Sequence, residues 1–137
     1  GGWTVLVTGS SRGIGFHTAA EACHRGATVL VHSRDPQTAE KAAAAIRLLN
    51  CTGQGTAEAV AFDLADFDAV RQFAASMAGR FLSLDLVYLN AALGGNSPGG
   101  TGPSGHHITT ASNHLGHFLL FELFVRPRLA DGARIVI

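Results

Sequence analysis

The sequence predicts an α/β fold, a doubly wound parallel sheet of five strands, and three observations predict it. Short apolar, often β-branched runs recur along the chain as continuous rather than alternating patterns, which is how strands buried on both faces read. Between them lie segments with apolar residues at helical spacing. The alternation of the two kinds is strict, and that order specifies parallel strands with helices on both sides of the sheet.

Each element has its own signal. Trp3-Thr4-Val5-Leu6-Val7 reads as a buried strand that breaks into the Gly-rich turn Thr8-Gly9-Ser10-Ser11-Arg12-Gly13-Ile14-Gly15. A helix is expected from about Gly13 to Arg25, with Ile14, Ala19, Ala22 and Cys23 on its apolar pattern and Gly26 as the stop. Thr28 to His32 is a second strand. Asp35-Pro36 then supplies an N-cap and an N1 proline for an Ala-rich helix running towards Asn50. Ala59 to Phe62 reads as the third strand, Asp66 to Arg80 as a helix facing inward through Val70, Phe73, Ala74 and Met77, and Leu86 to Leu89 as the fourth strand. An apolar helix from Ile108 to Val125, ended by Pro127, precedes the fifth strand, Arg134 to Ile137. Gly94 to Gly105 holds six glycines and two prolines among twelve residues, so it is expected to be a flexible loop without regular structure.

With 137 residues there is room for one core, so residues 1–137 are expected to form one domain. Hydrophobic residues make up 47% and charged residues 15%, too apolar a balance for disorder. Ten basic and ten acidic side chains cancel and form no basic stripe, which argues against nucleic acid or an anionic membrane as partner. No apolar run is long enough to span a bilayer. Cys23 and Cys51 are too few for a disulfide scaffold, so reduced thiols and a cytoplasmic location are expected. Among seven histidines, His114 and His117 lie one helical turn apart with His106 and His107 upstream, yet no cysteine or carboxylate in that segment completes a metal site. No metal is expected. His17, His24 and His32 read as surface or helix-flank positions.

In open parallel sheets the first turn after a strand is where phosphate meets a helix N-terminus. Gly9 would permit the sharp exit from the strand, Gly13 would let backbone approach a pyrophosphate, and Gly15 would let helix and strand pack closely. The spacing G-x-x-x-G-x-G meets the general dinucleotide fingerprint only approximately, and the Gly-Lys-Ser/Thr ending of a triphosphate-binding loop is missing. The segment Thr8 to Gly15 resembles the cofactor loop of the short-chain dehydrogenase/reductase family. Leu89-Asn90-Ala91-Ala92 is similar to that family's Asn-Asn-Ala-Gly motif, with Leu89 and Ala92 as departures. Phe62-Asp63-Leu64 resembles its adenine-contacting segment, and Asn113-His114-Leu115-Gly116-His117-Phe118 resembles the helix with its catalytic asparagine, nearest the retinol-dehydrogenase-like branch, which implies that His114 and His117 are packing residues. The same order of motifs weighs against a methyltransferase.

The resemblance implies a Rossmann domain that binds a nicotinamide dinucleotide through Thr8, Gly9, Ser11, Arg12, Gly13, Ile14, Gly15, Ser33, Arg34, Asp63, Leu64, Asn90, Ala91 and Ala92, with Asn113 as the catalytic candidate. At the end of the second strand an acidic side chain would favour NAD(H). Ser33-Arg34 stands there, and Arg34 with Arg12 could clamp a 2′-phosphate, so NADP(H) is expected. The competing assignment makes both arginines solvated charges and Asp35 the ribose ligand. Asp35 before Pro36 is better explained as a helix cap.

The family's chemistry also uses a serine and a Tyr-x-x-x-Lys pair. The sole tyrosine, Tyr88, is followed four positions later by Ala92, and the sole lysine, Lys41, is preceded four positions earlier by Gln37. No serine follows Ser112. The expectation is an N-terminal cofactor-binding portion of an enzyme that interconverts an alcohol and a carbonyl, inactive by itself. The alternative is a non-catalytic nucleotide-binding or structural subunit. As an apolar sheet edge the fifth strand would need cover from the rest of a parent chain or from a second copy, and the resemblance implies that the Phe- and Leu-rich helix from Asn113 to Phe124 lies in a homo-oligomer interface. Retinoid, steroid and small-ketone substrates remain open.

Overall fold

The computed structural model describes residues 2–49, 53–97 and 99–137. Five parallel strands form one sheet, β1 (Thr4–Val7), β2 (Thr28–Ser33), β3 (Thr56–Ala61), β4 (Leu84–Tyr88) and β5 (Leu129–Val136), in the order β3-β2-β1-β4-β5. The chain builds outward from β1 to one edge and then returns to build the other, so the switch point lies between β1 and β4.

Alternation along the strands supplies two cores. Val5 and Val7 of β1, with Val29 and Val31 of β2, face α1 (Gly13–His24) and α2 (Pro36–Leu49), where Ala19, Cys23, Ala43 and Ile46 close over them. Leu6, Leu30 and Val87 point the other way, onto Val70 and Phe73 of α3 (Phe67–Ser76) and Leu120 and Phe124 of the last helix. Small residues on α1 and α2 are what let these helices sit close to the sheet.

Caps set the helix starts as the residue types require. The Asp66 carboxylate accepts from Asp68 N at 3.1 Å and Ala69 N at 3.2 Å at the head of α3. Asp35 does the same for α2, accepting from Thr38 N at 2.7 Å.

Several boundaries differ from expectation. β3 begins at Thr56 rather than Ala59 because it is an edge strand, where Glu58 faces outward to Arg80 at 2.7 Å. α3 stops at Ser76, four residues early, as the chain turns through Gly79 at φ +80°. β5 starts at Leu129, where Asp131 and Gly132 interrupt the apolar pattern, and its pairing with β4 shifts register between Leu84 and Leu86. The expected end of α2 at Asn50 lies outside the described residues.

Residues 108–128 are one continuous helical run, but two of its turns are π-helical, Ala111–Leu115 and Phe121–Val125, and the last, Arg126–Arg128, is a 3-10 turn. Gly116 is buried against the C-terminal end of β3, where a Cβ would overlap the Leu64 carbonyl. Leu120 and Phe124 of this run face the core, whereas Phe118 is 61% exposed and Leu123 41%.

The loop expected to lack regular structure does not lack it throughout. Thr101 and His107 form an antiparallel bridge, closed by Gly102 N to His106 O at 2.9 Å and Ile108 N to Gly100 O at 2.8 Å. Gly100 and Gly105 supply the positive φ that this reversal needs. Pro98 lies outside the described residues. Cys23 is fully buried and is not a free thiol, which corrects the expectation of a reduced cysteine there, and Cys51 lies outside the described residues.

Candidate active site

The site grows from the end of β1. Thr8 is buried, and its amide continues the sheet by donating to Tyr88 O at 3.0 Å. The chain then reverses at Gly9, φ +62°, where a Cβ would lie 2.7 Å from the Ala91 backbone. Gly13 also takes a positive φ, +60°, and nothing lies within 4 Å of where its Cβ would be, so the backbone there is open. At Gly15 a side chain would overlap the Gly9 carbonyl and crowd the Asn90 amide. Three glycines thus meet three different demands: a turn, an open approach and a close packing.

A cleft of about 540 Å3 lies over this turn, within the size range of small-molecule sites. Of the residues singled out in the sequence, Gly9, Ser11, Arg12, Gly13, Ile14, Ser33, Arg34, Leu64, Asn90, Ala91 and Ala92 line it. Thr8, Gly15, Asp63 and Asn113 do not, and each acts behind the wall. Asn90 does both, since its side-chain amide donates to Thr8 O and Gly9 O, each at 3.1 Å, and ties the end of β4 to the turn. Asp63 accepts from Ala65 N at 2.9 Å and shapes the bend after β3. Asn113 accepts from Leu93 N at 2.7 Å and donates to Leu93 O at 3.1 Å, so its amide holds the segment after β4.

The electrostatics suit an anion. No side chain caps the N-terminus of α1 and no acidic residue stands in its first turn, which leaves the positive end of the helix facing the cleft. Among the described residues neither Arg12 nor Arg34 has an ion-pair partner. Asp35 borders the same cleft, but one of its oxygens accepts from both Thr38 N and Thr38 Oγ1, at 2.7 and 2.8 Å. Those bonds hold its carboxyl below the usual range. The cap reading of Asp35 is therefore the one its contacts satisfy.

Two histidines were misplaced by the sequence. His32, expected at the surface, is 2% exposed and lines the cleft. Its Nδ1 accepts from Gly9 N at 3.0 Å and its Nε2 faces Phe62 O at 2.8 Å. An amide only donates and a carbonyl only accepts, so the proton sits on Nε2 and the ring is neutral. Burial pushes its pKa down to about 4. His114 and His117 were both expected to pack, but His114 is exposed. His117 is buried, with Nδ1 donating to Asn113 O at 3.0 Å and Nε2 accepting from Thr8 Oγ1 at 2.8 Å. Thr8 Oγ1 in turn accepts from Ala91 N at 3.0 Å; its contact with Tyr88 O, at 3.4 Å, is too long to compete for the hydroxyl proton. A chain of hydrogen bonds thus runs from the segment after β4 through Thr8 and His117 to the backbone of the last helix. Leu93, Thr38 and Ser112 also line the cleft and went unrecognised. Among the described residues no group of three His, Cys, Asp or Glu side chains could hold a metal ion.

An open glycine turn, an uncapped helix N-terminus and a cleft at the sheet's switch point define the class: a doubly wound α/β protein with a Rossmann-like fold. The sequence matches the family model for short chain dehydrogenase over residues 3–136, and the chain belongs to that family. It is 36% identical over 124 residues to human retinol dehydrogenase 13, a match covering 90% of this chain and 37% of that protein. Among solved structures it resembles a protein of Mycobacterium paratuberculosis, with a TM-score of 0.77 and 34% identity over 93% of this chain and 43% of the other. A metagenomic short-chain oxidoreductase solved in complex with NADP superposes with a TM-score of 0.71 at 28% identity, covering 91% of this chain and 56% of that one. The chain spans 32–44% of the length of the curated relatives it matches. No described helix is long and apolar enough to cross a membrane.

Proposed function

We propose that residues 1–137 are the NADP(H)-binding domain of an oxidoreductase that interconverts a small-molecule alcohol and a ketone or aldehyde. The observation that carries the choice of coenzyme is that Arg12 and Arg34 have no ion-pair partner among the described residues and stand beside a carboxylate, Asp35, already committed to the head of α2. An NAD(H) site would want that carboxylate free for a ribose 2′-hydroxyl, whereas a 2′-phosphate wants forked cations.

In this reading the amides from Ser11 to Ile14, at the positive end of α1, hold the pyrophosphate, and the open space at Gly13 lets it approach. Ser33 and Arg34 with Arg12 receive the 2′-phosphate. Leu64, next to Asp63, forms the adenine wall, and Asn90, Ala91 and Ala92 form the wall at the nicotinamide end. Asn113, the catalytic candidate, acts through Leu93, whose backbone it fixes. When bound, the nicotinamide supplies or accepts the hydride. Tyr88 packs against the core beside α1 and Lys41 is exposed on α2, so neither makes the acid that a carbonyl needs. These residues by themselves should bind coenzyme without turning over substrate.

The test is Arg34→Asp, read by NADPH and NADH fluorescence. NADPH binding should weaken by about 10- to 100-fold, the worth of a charge-assisted bond to phosphate, while NADH changes little. Equal loss for both coenzymes rules out the clamp. A non-catalytic nucleotide-binding subunit is the second reading. It requires the full-length protein to bind NADPH yet leave alcohols and carbonyls unchanged.

A further inference from the structure

His32 is a polar ring buried at the one place where three strand ends meet. Gly9 follows β1, His32 sits in β2, and Phe62 follows β3, and the imidazole spans the gap from Gly9 N to Phe62 O. Its position is fixed from every side. Its own amide donates to Ser10 Oγ at 2.8 Å, and that hydroxyl donates to Val7 O at 2.8 Å. Its carbonyl accepts from Ser10 N at 2.9 Å. The ring lies against Phe62, centroids 4.3 Å apart, and Phe62 stacks on Phe73 of α3, also at 4.3 Å. A ring so held cannot drift, so it sets the distance between the glycine turn and the loop that carries Leu64.

We propose that His32 is a positioning residue for the adenosine half of the coenzyme, a neutral bridge that holds the glycine turn and the end of β3 at a fixed separation. The inference rests on the coenzyme reading given above and adds a residue that touches no phosphate in it. Gly9 N is already spent on the ring, so phosphate contacts begin at Ser11, and the turn reaches the cleft already in shape. Removing the ring leaves a half-buried amide and a buried carbonyl without this partner and frees the turn to move against Leu64.

Three variants of the full-length protein separate this from general weakening. His32→Leu removes both bonds. His32→Asn places an acceptor where Nδ1 stands, and His32→Gln keeps reach to Phe62 O but not the acceptor for Gly9 N. NADPH affinity is measured by fluorescence, and adenosine 2′,5′-bisphosphate, which has no nicotinamide, is measured by competition. His32→Leu should weaken both ligands by about tenfold, and His32→Asn and His32→Gln, each keeping one end of the bridge, should each weaken both by about threefold. If His32→Leu does not fold, the Asn and Gln variants decide. The inference is overturned if the bisphosphate binds the variants as it binds wild type. Wild type that binds no NADPH overturns the coenzyme reading and this inference together, whereas wild-type binding with indifferent variants overturns this inference alone.

Discussion

His32 and His117 carry buried rings whose partners demand the neutral form, and that has a consequence for stability. Burial lowers both pKa values, that of His32 from 6.5 to about 4, with the nearby His117 pushing the same way and Asp63 opposing. An unfolded chain therefore binds more protons than the folded one below pH 6.5, so stability is full above that value and is lost as pH falls towards 4. For His32 the loss amounts to about 3 kcal/mol over the window. Urea unfolding at pH 7 and pH 4.5 should show this drop in wild type and a smaller one in His32→Asn. An equal drop in both would mean the ring is not the titrating group. Neither histidine's role was legible in the sequence. Their partners lie 23, 30 and 109 residues away, and no local period records such distances. The glycines were legible, because a turn at a strand end imposes local demands that only Gly9, Gly13 and Gly15 can meet.

At the scale of elements, the central strands declared themselves and the edges did not. β1 and β2 are buried on both sides and read as apolar runs, while β3 and β5 carry Glu58 and Asp131 at exposed or half-buried positions that interrupt the pattern. The two π-helical turns were equally invisible, since the same apolar spacing fits a regular helix within so short a span. Gly116 shows what the last helix does for the site. Its missing side chain lets the helix press on the Leu64 carbonyl, and Leu64 lines the cleft. Gly116→Ala should destabilise the fold by about 1–3 kcal/mol through overpacking and weaken coenzyme binding as Leu64 shifts. Thermal unfolding and an NADPH titration check the two effects. An alanine tolerated in both measurements would show that the seam is looser than described.

At the scale of the whole molecule, strand order decides where function lies. Because β1 is flanked by β2 on one side and β4 on the other, crossovers leave its C-terminal end in opposite directions and open a crevice there. The residues the sequence singled out, from Thr8 to Asn113, gather at that end: most line the cleft, Thr8 and Asn113 hydrogen-bond to its lining, and Gly15 and Asp63 adjoin the lining residues Ile14 and Leu64 in the chain. The central claim is that the turn from Gly9 to Gly15 grips a diphosphate with backbone amides. A crystal structure of the protein grown with NADP decides it most directly. The account predicts the diphosphate over the amides of Ser11 to Ile14, with the 2′-phosphate between Arg12 and Arg34. A diphosphate bound elsewhere, or a cleft closed by its own side chains, would contradict it.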